Sequence, residues 1–356
     1  MRLKMEKRLN PSKKLKIIVP FCAVVAALIF CALLLMIAGK NPIDVYSTML
    51  LDAITTEYGL SEIIVKMIPL AICSFGVAVA FRMQLWNIGA EGQFYMGAIG
   101  AGYIALHYTN LPTIIMLPAM MLLAMLLGGL WGSVSGYLRN KWKVNELIST
   151  LMLNYIAILI LNYLVYGPWK DPAGLNFPIT APFVKAAVLP SLCDTRIHYG
   201  IFIVFILAIL FYFLFKNSKW GYRTKVIGLN PIAAHYAGIN IPTDILKIMF
   251  TSGALCGLAG MTEVSGVVGK LQQGISPGYG YTAVIIVWLA KLHPVAIIFV
   301  AFLFSTIQVG AFMVQTMNIS DSIATMIQGA ILFFVIGSDI LIDYKISFKR
   351  IIKGEH

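Results

Sequence analysis

Ten runs of apolar residues divide the chain, at 17–38, 61–82, 91–108, 112–138, 144–166, 199–215, 247–268, 281–292, 294–314 and 322–343. A helix needs about 20 such residues to cross roughly 30 Å of hydrocarbon, and most of these runs approach that length. The whole sequence is 59% hydrophobic and 12% charged, with a mean hydropathy of +0.85, which excludes an ordinary soluble domain. Lipid offers no hydrogen bonds to the backbone, so the segments within it must be helical or closed into a barrel. Runs of this length select helices. The expected fold is all-α: a polytopic membrane protein of about ten transmembrane helices, with a basic tail at 1–16, one transmembrane domain at 17–343 and a second tail at 344–356.

The net charge of +12 raises the question of a nucleic-acid partner, and the placement of the cations answers it. They gather in MRLKMEKRLNPSKKLK, RNKWK, KNSKWGYRTK and KISFKRIIK, between or beside apolar runs, which is the signature of topology. Ten crossings from a cytoplasmic N-terminus put all four segments inside. Of the 27 Lys and Arg, only Lys40, Lys170, Lys185, Arg196 and Lys270 then fall outside, with Lys66 within a span. The first run exceeds the apolar core of a signal peptide and reads as a retained span. The run at 281–292 is too short to cross alone and meets Pro294, which breaks helices; it is either a span or a half-helix.

The five cysteines, Cys22, Cys31, Cys73, Cys193 and Cys256, have spacings of neither a metal site nor a disulfide framework. The five histidines are equally scattered, and no metal or cofactor is expected. Gly128, Gly132 and Gly136 put small residues on one helical face, where another helix can approach closely. The external loop at 167–198 holds five prolines and is expected to be ordered against the bundle or a partner.

Two segments break the helical pattern in corresponding places, NIGAEGQ after the second run and GISPGYG after the seventh. Such a pair points to an internal repeat with a midplane path. Halves of five spans each must then be inverted relative to one another, with re-entrant or broken helices near the centre. Backbone that is irregular at membrane depth must face protein or a water-filled cavity. In WNIGAEGQF, Gly89 and Gly92 permit a turn and close backbone approach. Asn87, Glu91 and Gln93 can satisfy freed backbone groups or meet a polar solute, and Trp86 and Phe94 offer ring faces for stacking. Glu91 has a simpler alternative, capping the N-terminus of the third span.

WNIGAEGQFYMGAIGA, with GYRTKVIGLNPIAAHYAGIN and GISPGYGYTAVIIVWLAKLHP, resembles the permease family of ABC importers for simple sugars and nucleosides. It is most similar to purine-nucleoside permeases that work with a basic-membrane-protein type lipoprotein, and the likeness runs from residue 60 onward. Trp86 stands where that family usually has Phe. The resemblance implies a ten-span subunit of inverted repeats in a bacterial plasma membrane, with both termini cytoplasmic. It also implies a second related permease, an ABC ATPase with two nucleotide-binding modules and an extracytoplasmic substrate-binding lipoprotein. The pathway residues expected on this basis are Trp86, Asn87, Gly89, Glu91, Gly92, Gln93, Phe94 and Tyr279.

Within the cytoplasmic segment 216–246, GLNPIAAHYAG reads as a short helix. Asn230 suits the N-cap, Pro231 the first helical position and Gly238 the exit. The resemblance makes it the helix that couples to the ATPase, through Gly228, Asn230, Pro231, Ala233, Ala234, Tyr236, Ala237 and Gly238. The alternative is a helix resting on the lipid surface, against which the segment lacks a large apolar face.

Gly-Lys occurs at 39–40 and 269–270 without a following Ser or Thr, so neither is a phosphate-binding loop. The chain is expected not to be an enzyme, with ATP hydrolysis carried out by the partner. An ion-coupled transporter would place acids at the midplane, where only Glu91, Glu263 and Asp339 are available; Glu263 and Lys66 can alternatively reach the outer interface. A membrane enzyme would show a clustered nucleophile, base or metal set. The reading is therefore a permease for nucleosides, purine nucleosides foremost, with simple sugars such as ribose or galactose as the alternative.

Overall fold

The computed structural model describes residues 2–7, 12–192, 195–317, 320 and 322–349. These form two compact units, one from residues 1–53 and 307–356, the other from 54–306. Cys193 and the side chain of Asp339 lie outside what is described.

In the first unit, strand β1 (Arg2–Lys7) precedes α1 (Lys13–Ile37), α2 (Pro42–Ser47), a π turn at Thr48–Asp52 and the one-turn α3 (Ala53–Thr55). Ser12 caps α1 through Leu15 N at 3.3 Å, and Asn41 caps α2 through Ile43 N at 3.1 Å. Helix α14 (Ser322–Asp343) packs along α1, with the Phe30 and Phe334 ring centroids 5.9 Å apart. The chain is all-helical as expected, apart from one short pairing of its tails: β2 (Tyr344–Lys349) runs antiparallel to β1, Arg2 opposite Lys349. The segments RLKMEK and YKISFK alternate apolar with polar residues, the period of a strand.

The second unit contains α4 (Glu57–Arg82), α5 (Ala90–His107), α6 (Thr113–Trp142), α7 (Glu146–Tyr166), α8 (Gly200–Asn217), α9 (Lys219–Leu229), α10 (Pro231–Tyr236), α11 (Ile241–Glu263), α12 (Tyr279–Leu289) and the start of α13 (Pro294–Met313). Its core is α4, α5, α6 and α11, and α11 packs most extensively on α6. The glycine row on α6 makes that approach possible. A side chain at Gly128 would meet the Gly253 carbonyl, and one at Gly132 would come within 2.5 Å of the Met249 carbonyl. Dispersion between closely spaced backbones holds such helices together where the hydrophobic effect contributes little.

Among the described residues, seven helices are long and apolar enough to cross a membrane: the Ile18–Ile37 part of α1, then α4, α6, α7, α8, α11 extended to Val268, and α13. The other three runs form α5, α12 and α14. Helix α5 fails on hydropathy because protein, not lipid, surrounds it; 13 of its 18 residues are buried. Helix α12 has 11 residues, about 16 Å at 1.5 Å per residue, and is a half-length helix. Helix α14 includes the apolar stretch Thr325–Ser338.

The connection between α7 and α8 is ordered against the segment that follows α11. Thr180 N donates to Leu271 O at 2.9 Å, Phe183 N to Gly269 O at 2.7 Å and Leu189 N to Ser265 O at 2.9 Å. Arg196 pairs with Glu62 at 2.6 Å. His198 is buried at its end, where Nδ1 accepts from Gly200 N at 3.2 Å and the ring lies against Gly266. Burial lowers its pKa from 6.5 to about 4, because a charged imidazolium there would lose its hydration.

Candidate functional site

Helix α4 ends at Arg82, and the chain turns through Gln84, whose φ of 56° is left-handed, to restart as α5 at Ala90. The first turn of a helix leaves unpaired N–H groups. Here a side chain from another helix accepts from one of them: Asn154 of α7 takes Gly92 N at 2.8 Å. The Asn154 amide also donates to Ile88 O at 2.9 Å, which secures the turn. A side chain at Gly92 would lie 2.9 Å from the Asn154 Cα, and one at Gly89 would lie 2.9 Å from the Thr150 Cβ, so glycine is required by proximity at both positions.

The remaining polar groups of the stretch pair among themselves. Asn87 Nδ2 donates to Gln93 Oε1 at 2.9 Å and to Ser252 Oγ at 2.7 Å. Asn87 Oδ1 accepts from Gly89 N at 3.1 Å and from Gln93 Nε2 at 3.0 Å. The Ser252 hydroxyl passes the network to Gly76 O of α4 at 2.7 Å. Asn87, Glu91 and Gln93 are all buried. Helices α4, α5 and α11 and the turn before α5 are thus tied at one point.

Glu91 does not cap its own helix. Its Oε2 accepts from Gly280 N at 2.7 Å, so the carboxylate sits on the N-terminal turn of α12, 189 residues further along the chain. Favourable charge at a helix N-terminus is the same physics as the expected cap, applied to a different helix. Ser276 Oγ accepts from Tyr279 N at 3.0 Å and completes that cap, while Gly278, at φ 92°, makes the turn into it. The backbone of α5 at Ala90 and Glu91 presses on Gly280 so closely that a Cβ would collide. The two pattern breaks of the sequence therefore meet, N-terminus to N-terminus.

Of the eight expected pathway residues, Phe94 and Tyr279 pack in the core, ring centroids 5.7 Å apart, and only Trp86 borders open space. It stacks on Trp288 of α12 at 5.2 Å and meets Phe81 of α4 at 5.1 Å. These three rings, with Gln84 and Leu85, bound a cavity of about 240 Å³. A second space of similar size shares Phe81 and Trp288 and continues to Lys291 and Leu292. Phe81 and Trp288 were not among the expected residues, although WLAKLHP lies within a motif named from the sequence. Glu263 is buried.

Residues 59–336 match the family model described as branched-chain amino acid transport system / permease component. The chain belongs to that permease family. A glucose ABC transporter permease, TsgB13 of Haloferax volcanii, is 30% identical over 339 residues, 92% of this chain and 89% of its own. Two nucleoside relatives are comparable. The nucleoside ABC transporter permease NupB of Lactococcus lactis is 28% identical over 91% of this chain and 92% of its own. The guanosine ABC transporter permease NupP of Bacillus subtilis is 29% identical over 90% and 93%. The chain is an ABC importer permease, with the nucleoside and simple-sugar permeases as its relatives.

The permease's α9–α10 segment takes the local form expected from its residues. Asn230 caps α10 through Ala233 N at 3.1 Å, Pro231 is the first helical residue, and Gly238 exits at φ 74°. Its residues divide sharply by exposure. Tyr236 is 87% and Ile232 69% exposed, with Ala233 and Ala237 beside them, whereas Ala234 is fully buried. Gly228 is buried too, where a side chain would come within 2.6 Å of Arg82 O and 3.3 Å of Met83. Arg223 of α9 pairs with Asp244 of α11 at 2.7 Å. The α9–α10 segment thus rests on the residue that begins the interior turn.

Proposed function

We propose that this permease moves nucleosides, purine nucleosides foremost, along a path bordered by Trp86, Phe81 and Trp288. The aromatic cluster carries the reading. A nucleobase is flat and neutral and gains by stacking on such rings, and Gln84 at the cavity edge can hydrogen-bond a base edge or ribose. Asn87, Gly89, Glu91, Gly92 and Gln93 buttress that path, because their polar groups hold α5 and α12 in place. Phe94 and Tyr279 support it from the core.

The support for a powered, multi-subunit machine is the exposed edge of α10. Tyr236, Ile232, Ala233 and Ala237 present a small apolar knob suited to a pocket on a partner. Displacement of that knob passes through Gly228 to Arg82–Met83 and thence to Trp86. The partners read from the family are a second permease, an ABC ATPase with two nucleotide-binding modules and a substrate-binding lipoprotein. Ten membrane passages, inverted halves and cytoplasmic termini in a bacterial plasma membrane belong to the same proposal, supported by the basic connections and the paired breaks.

The relative that transports glucose favours a second reading, a simple-sugar permease. Uptake of labelled guanosine, ribose and glucose by cells expressing the complete transporter, with native Trp288 and with Trp288→Ala, distinguishes the two. Guanosine uptake that falls at least tenfold in Trp288→Ala is expected. Sugar uptake with no guanosine uptake in the native protein overturns the nucleoside reading.

A further inference from the structure

Another cavity, which shares Lys291 and Leu292 with the space beside Trp288, is defined by charge. Arg82, Lys216, Lys225, Lys291 and His293 line a space of about 670 Å³ where α4, α8 and α9 meet the turn before α13, and no acidic residue borders it among the described residues. Arg82 is held there by uncharged groups. Its Nη2 donates to Phe215 O at 3.0 Å and its guanidinium lies 4.4 Å from the Phe215 ring, but the buried Nε has no hydrogen-bond partner. Lys216 lies over the Tyr212 ring at 5.5 Å. Positive charges gathered around one cavity favour an anion there.

The surroundings identify the kind of anion. Helix α8 ends and α13 begins at this cavity, and both leave it with exposed apolar side chains: Phe213, Ile209 and Ile206 on α8, Val295 and Phe299 on α13. A soluble anion has no use for such flanks. We propose that the cavity seats the phosphate of an anionic phospholipid, with the acyl chains lying along α8 and α13. Basic pockets between membrane helices are suited to such headgroups. The assignment rests on the chain's being a membrane permease and not on its solute.

The test uses the full chain in vesicles of phosphatidylcholine doped with phosphatidylglycerol, extracted in neutral detergent, with the retained lipids counted by mass spectrometry. Native protein should retain phosphatidylglycerol in preference to phosphatidylcholine. The triple variant Lys216→Gln, Lys225→Gln, Lys291→Gln should lose that preference at least tenfold, since each cation near a surface is worth about fivefold. The charge-matched control Lys170→Gln, Lys185→Gln, Lys270→Gln should keep it. The triple Lys→Arg variant should retain the lipid, which separates loss of charge from loss of fold. Equal retention in the native and triple-Gln proteins overturns the proposal. So does release of phosphatidylglycerol by inorganic phosphate or glycerol phosphate, which would make this a soluble-anion site. Loss of ATPase association in the triple-Gln variant with lipid retention unchanged would assign the cavity to a protein contact instead.

Discussion

Helices α5 and α8 have the same length and opposite logic. Both have 18 residues, but α5 buries 13 and α8 buries six. Helix α5 is made of Gly, Ala and a polar first turn, while α8 is a run of Phe, Ile and Leu that faces outward. In a soluble protein the greasier helix would be the core. Here the solvent is apolar, so hydropathy reports contact with lipid, and what marks the interior is small residues and polar groups that are satisfied within the protein. Helix α10 repeats the contrast within one turn, with Ala234 turned inward and Ala233 outward.

The inward side of each contrast should be the less tolerant, and the largest effect is expected where a charge is forced inside. Ala234→Arg buries an unpaired cation, at a cost of several kcal/mol, and should yield little folded protein by fluorescence-detected size-exclusion chromatography. Ala233→Arg, one residue away, should fold normally and lose uptake; equal folding yields of the two would erase the contrast in α10. Gly97 of α5 faces the Gly257 backbone of α11 with no room for a Cβ. Gly97→Leu should therefore destabilise by about 3 kcal/mol or more, read as a lowered unfolding temperature in detergent.

Acidification supplies the next test. His198 is neutral when folded, with a pKa of about 4 against 6.5, so the unfolded chain binds the extra proton first. Its stabilising contribution is present above pH 6.5 and declines as the pH falls toward 4, by on the order of 3 kcal/mol in total. Unfolding temperatures recorded from pH 7 down to 4.5 should fall more steeply for the native protein than for His198→Gln; parallel profiles would contradict this.

Smaller effects are expected at the α5–α12 junction. Glu91→Gln keeps an acceptor for Gly280 N and loses the charge at the α12 N-terminus, about 1 kcal/mol. Glu91→Ala leaves that N–H unpaired, about 1–3 kcal/mol. If Glu91→Gln abolishes uptake while the unfolding temperature holds, the charge does more than cap. Phe205→Ala on α8 replaces a half-exposed side chain and should change stability by no more than about 0.5 kcal/mol; a larger loss would show that this outward face packs on protein.

The order of apolar runs and basic connections, the shortness of the run at 281–292, the Asn230–Pro231 helix start and the glycine row of α6 were all legible in residues adjacent along the chain. They rest on local physics: the length needed to cross hydrocarbon, capping and small-residue spacing. The second break was legible too, through Gly278 and Pro277. What the chain could not disclose alone is who satisfies whom across distance. Glu91 finds Gly280, Asn154 finds Gly92, Asn87 finds Ser252 and Trp86 finds Trp288, and none of these partners is marked by local spacing. Ala233 and Ala234 are chemically identical neighbours, and only packing separates them. Tertiary structure decided these matters because a polar group buried away from water must be paired by whatever the fold brings within about 3 Å, and that neighbour is set by how the helices cross.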